Sequence, residues 1–145
     1  MKLGSLASAR PNYYDRNPIT IAGANSQNIT GNTVTTLTMY TVPASKKSII
    51  SLMSTEFYAT AALTGAGAYV AGYWQVTIAS TAATSNIMYA RFAKTAIGDE
   101  QFHPFSPSFC LNAGDILKFV ASGVAAITGG NINILGSFGG TEFDA

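Results

Sequence analysis

The chain has 145 residues, of which 48% are hydrophobic and only 10% charged, with a net charge of +1. That length suits one domain with a core of its own, and the missing charge leaves no basic stripe of the kind phosphate neutralisation demands, so nucleic acid is not an expected partner. A typical chain carries about 25% charged residues, whereas here Lys46, Lys47 and Glu56 are the only charges between Asn17 and Ala90.

Residues 1–18 show no sustained period, contain Pro11 and Pro18, and hold Lys2, Arg10 and Arg16. The prolines bias Arg10 and Asn17 toward extended backbone, so the segment is expected to be an extended N-terminal arm that spans up to roughly 60 Å. It has no apolar run of about 7 to 15 residues, so it does not read as a secretory signal. Tyr13, Tyr14, Asp15 and Arg16 are the candidate partner-binding residues, because tyrosine and arginine combine large contact area with directed hydrogen bonds.

Residues 19–145 are expected to form one β-sandwich domain ending in a short C-terminal tail. Ile19–Ala22 reads as a short first strand, followed by turn residues around Ala24–Gln27 and at Gly31-Asn32. Val34–Val42 is rich in β-branched residues and stops at Pro43. Lys47–Tyr58 has doubled apolar positions, as in a strand buried on both faces or carrying a bulge. Tyr69–Ala79 alternates most clearly: Val70, Trp74, Val76 and Ile78 share one face, and Tyr69, Tyr73, Gln75 and Thr77 the other.

Asn86–Phe92 alternates again, with Met88 and Phe92 opposite Tyr89 and Arg91. Glu100–Leu111, with Pro104 and Pro107, reads as one irregular edge strand. Asn112–Gly114 supplies a tight turn into Asp115–Ser122, and Asn131–Phe138, bracketed by glycine pairs, closes the chain. The sum is an all-β fold: a single antiparallel β-sandwich, jelly-roll-like, of about eight strands. Leu37, Met39, Ile49, Met53, Trp74, Val76, Ile78, Leu111, Leu117, Phe119, Ile132 and Ile134 are the expected core.

The material for catalysis is thin. There is one histidine, His103, placed before a proline, and no Gly-x-Ser-x-Gly elbow, so no enzyme is expected. One histidine and one cysteine fall short of a zinc set, and Asp99, Glu100 and Asp115 lack the spacing of a calcium loop, so they read as solvated turn carboxylates and no metal or other cofactor is expected. Cys110, the only cysteine, reads as a buried thiol between Phe109 and Leu111. Asn28-Ile29-Thr30 matches the glycosylation sequon, a frequent chance match. The apolar stretches break well before about 18 residues, so no membrane span is expected.

The segments TMYTVPASKKSIISLMS, FCLNAGDILKFVASG and NINILGSF together resemble small virion proteins of tailed bacteriophages. The resemblance covers roughly Thr38 to Phe138 and rests on turns and strands. It implies a jelly-roll-like unit of the sort found in head decoration (cement) proteins and in neck or tail fibre domains. The segment from Asn12 to Pro18 resembles the short arms with which such proteins attach to neighbours. On this basis the protein is expected in the virion, associating with copies of itself as a trimer or other oligomer and with major capsid or neck and tail subunits. A carbohydrate- or receptor-binding module, with Tyr69, Tyr73 and Tyr89 stacking on sugars, is the alternative. The low charge suits a surface that faces protein, and a Thr- and Ser-coated extracellular sandwich would show it too.

Overall fold

The computed structural model describes residues 18–93 and 96–145. Among them are nine strands: β1 (Ile19–Ile29), β2 (Val34–Thr41), β3 (Lys46–Thr64), β4 (Tyr69–Thr77), β5 (Thr84–Phe92), β6 (Glu100–Phe105), β7 (Phe109–Asn112), β8 (Ile116–Val124) and β9 (Gly129–Asp144). One sheet runs β1-β9-β3-β6, with β7 also on β3; the other runs β2-β8-β4-β5. Every pairing is antiparallel. The chain passes repeatedly from one sheet to the other, which is the jelly-roll-like sandwich expected.

The alternation of β4 sets the core. Val70, Trp74 and Val76 point inward at 0%, 0% and 6% exposure. Trp74 packs on Phe119 and Phe138, with ring centroids 5.1 and 6.5 Å away. Phe57 stacks on Phe92 at 5.4 Å, so a ring from β3 in one sheet meets a ring from β5 in the other. Two glycines let the sheets approach: a Cβ at Gly72 would lie 2.5 Å from Thr55 Cγ2, and one at Gly136 would lie 2.6 Å from Phe119 Cγ.

Several elements differ from expectation. β1 runs on through the polar Asn25–Asn28 because its backbone follows β9 residue for residue, from Ile19 opposite Glu142 to Ile29 opposite Ile132. The irregular strand is two strands, β6 and β7, which follow one another along the same edge of β3. Pro104 lies in β6, an edge strand, where its missing N–H leaves no ladder bond unmade. β9 continues through Gly139-Gly140 to Asp144, and Glu142 and Phe143 are each 5% exposed.

Of the expected core, Met53, Trp74, Leu111, Leu117, Phe119, Ile132 and Ile134 are fully enclosed; Leu37, Met39 and Ile78 pack against that core from its margin. Ile49 does not belong to it. Ser48 and Ile50 take the inward places, both 0% exposed, and the register of β3 slips only beyond Ile50.

Candidate interaction surfaces

The buried polar groups hold the sandwich together. The Tyr40 hydroxyl, on β2, donates to Glu142 Oε2 on β9 and lies 2.9 Å from Ser48 Oγ on β3, joining one sheet to the other. Burial and the bond to Glu142 push the tyrosine up to about 12. Asp115, expected in solvent, is 3% exposed. Its Oδ1 accepts from the Ala79 amide and its Oδ2 from the Asn112 amide, each at 2.9 Å, so it anchors two loops.

His103 points inward from β6 and meets Phe57 edge-on, with ring centroids 5.9 Å apart. It lies opposite Thr55 on the inward side of β6 and is half-buried. Cys110 is exposed, contrary to the expectation of a buried thiol. Phe109 and Leu111 take the inward positions of β7, and period two turns the residue between them to solvent. Among the described residues no three His, Cys, Asp or Glu side chains gather as a metal would require. Lys46 ion-pairs with Asp144 at 2.6 Å, a contact that raises its ionisation.

Two outer faces remain. On the β1-β9-β3-β6 sheet, Phe102, Glu56 and Leu135 lie side by side across β6, β3 and β9. Phe102 is 58% exposed, Leu52 52% and Tyr58 44%. Ser54 and Ser137, neighbours on the same face, bond to each other through their hydroxyls at 2.5 Å. The face is thus an apolar group around Glu56, with a second carboxylate, Glu100, beside Tyr58 on the β6 edge. Sequence reading did not find it, since its members come from three strands far apart in the chain, and only the register assembles them.

On the β2-β8-β4-β5 sheet, the outward residues of β4 and β5 form cross-strand rows. Tyr73 lies opposite Tyr89, with centroids 6.0 Å apart and planes 27° from parallel. The Arg91 guanidinium carbon sits 3.8 Å above the centre of the Tyr69 ring. Gln75 Nε2 donates to Asn86 Oδ1 at 2.8 Å, and the hydroxyls of Thr77 and Thr84 meet at 2.9 Å. The three tyrosines expected to present rings are therefore brought together. Tyr13, Tyr14, Asp15 and Arg16 lie outside the described residues.

No family model and no curated protein matches the chain. Solved structures with a similar course include an Eiger TNF from S. frugiperda, with a TM-score of 0.42 and 10% identity over 80% of this chain and 92% of that one. A mutant VP2 protein of infectious bursal disease virus in derived T=1 particles has a TM-score of 0.37 and 11% identity, over 88% of this chain and 36% of that one. A chain of the cowpea mosaic virus top component, naturally occurring empty particles, has a TM-score of 0.35 and 13% identity, over 85% and 82%. Likeness at this level says nothing of activity or partners, and the sandwich stands on its own strands and registers.

Proposed function

We propose that the chain is a structural subunit of a virion, a capsid decoration or cement protein that associates with copies of itself and with neighbouring capsid, neck or tail subunits. The observation that carries the reading is the outer face of the β1-β9-β3-β6 sheet. Phe102, Leu52, Tyr58 and Leu135 form an exposed apolar group there around Glu56, bounded on the β6 edge by Glu100. An isolated domain gains nothing by exposing such a face, whereas a subunit wall buries it. Tyr13, Tyr14, Asp15 and Arg16 add a second attachment: an aperiodic arm that builds no core of its own recovers its ordering entropy against a partner.

The test is reconstitution. Particles lacking the protein are mixed with the purified full chain, with its oligomeric state first fixed by native mass spectrometry. Saturable binding at a fixed number of copies per particle supports the reading, and absence of binding to such particles overturns it. A chain lacking residues 1–18 keeps its β-domain and binds more weakly if the arm is an anchor; undiminished binding removes the arm from the proposal.

A further inference from the structure

We propose that the tyrosine face of the β4–β5 hairpin is a binding site for a carboxylated oligosaccharide. The residues that form it are Tyr69, Tyr73 and Tyr89 with Arg91, continued along the hairpin by the paired amides of Gln75 and Asn86. This site is separate from the apolar face of the other sheet, and the assignment does not depend on what that face binds.

The rings supply the first half of the recognition. Tyr89 is 54% exposed, and its ring lies beside that of Tyr73 in nearly the same plane direction. Burial, and then a hydrogen bond with Tyr69, push the pKa of the Tyr89 phenol above its ordinary value. The negative face of such a ring attracts the C–H edges of a pyranose, which a peptide partner does not present in the same flat array. The platform is longer than one sugar. From the row of Ala71 and Arg91 to the row of Thr77 and Thr84 is six residues along β4, about 20 Å.

Charge supplies the second half. Arg91 and Lys118 are the charged groups on the outer face of this sheet, and among the described residues no carboxylate stands against either. The Arg91 guanidinium carbon lies 3.8 Å from the centre of the Tyr69 ring, a cation–π contact that restricts where the group sits. A guanidinium held in that way offers a two-pronged donor to a carboxylate, with little further ordering needed. The amide pair two rows on provides donors and acceptors for sugar hydroxyls. A neutral glycan would use the rings but leave Arg91 unmatched; a second copy of this chain would bring Arg91 and Lys118 to a face that holds no acid.

The experiment is calorimetric titration of the full chain with two carboxylated probes, oligogalacturonate and an oligomer of sialic acid, and with oligogalacturonate whose carboxylates are methyl-esterified. Saturable binding of at least one acidic probe is expected. If it is oligogalacturonate, the ester binds at least tenfold more weakly. Arg91→Lys and Tyr89→Ala, both at exposed positions, should each weaken binding tenfold or more with an unchanged thermal midpoint, while Phe102→Ala on the opposite face should leave it unaltered. Failure of both acidic probes to bind at millimolar concentration overturns the proposal, as does binding indifferent to Arg91→Lys. Dissociation of an oligomer by Tyr89→Ala in native mass spectrometry would also overturn it, assigning the face to contact between copies. A chain that binds the probe but no particle leaves this site standing and removes only the structural-virion reading.

Discussion

The hydroxyl of Tyr40 donates to the carboxylate of Glu142, and this single contact joins β2 of one sheet to β9 of the other at a place where Glu142 is 5% exposed and Ser48 fully buried. Sandwich sheets are ordinarily held by apolar side chains alone. Here the buried acid accepts from the Tyr40 hydroxyl, which is in turn held by Ser48 Oγ.

Stability should therefore fall at high pH. In the folded chain Tyr40 ionises near about 12, whereas an unfolded tyrosine ionises near 10.0. Between those values the folded state holds a proton that the unfolded state has lost, so stability present below about pH 10 declines as pH rises toward 12. Urea midpoints across that range should drop for the native chain. Tyr40→Phe should lower the unfolding free energy at neutral pH by about 1–3 kcal/mol, because Glu142 loses a donor, and should flatten this part of the pH dependence. An equally steep decline in Tyr40→Phe would assign it to other groups.

Trp74→Ala should destabilise the fold by about 3–5 kcal/mol in chemical denaturation, since the ring is fully buried between Phe119 and Phe138 and neighbours cannot fill its volume. Trp74→Phe should be milder. It keeps much of the volume and removes an indole N–H that meets no acceptor. A Trp74→Ala chain of undiminished stability would contradict the core assignment.

Gly72→Ala tests the spacing of the sheets. The added methyl would overlap Thr55 Cγ2 and crowd Ile134 and Phe119, all on rigid strands. Overpacking of this kind costs about 1–3 kcal/mol. A parallel change at Gly31, where nothing lies within 4 Å, should be close to neutral and serves as the comparison.

How much of this was legible in the sequence follows the strength of alternation. Around Trp74 the two-residue period is complete, so strand, inward face and core anchor are all read correctly, and so is the outward set of Tyr69, Tyr73 and Tyr89. The same period places Cys110 outward between Phe109 and Leu111, yet composition, which favours burial for cysteine, points the wrong way. Through Asn25–Asn28 and Gly139-Gly140 the strands β1 and β9 follow their neighbours by backbone pairing, so these stretches look like turns in the sequence. In β3 the doubled apolar residues conceal the inward parity, which favours Ile50 over Ile49. Arg91 over Tyr69 and Phe102 beside Glu56 depend on register between strands, which no single segment encodes.

The last prediction concerns the apolar outer face. Leu52 and Phe102 are 52% and 58% exposed, so replacing them removes little from the core. Leu52→Lys and Phe102→Lys together should leave the unfolding free energy within about 0.5 kcal/mol of the native chain, as surface changes usually do. Association should respond otherwise. A lysine pair set among Tyr58, Leu135 and the small residues between them is costly to desolvate when a partner covers the face. Binding to particles, or self-association where this face mediates it, should weaken by tenfold or more when measured by sedimentation. If the double variant is as stable as the native chain and associates as tightly, the face is solvent-exposed in the assembled state. Attachment would then rest on other surfaces of the sandwich or on Tyr13, Tyr14, Asp15 and Arg16.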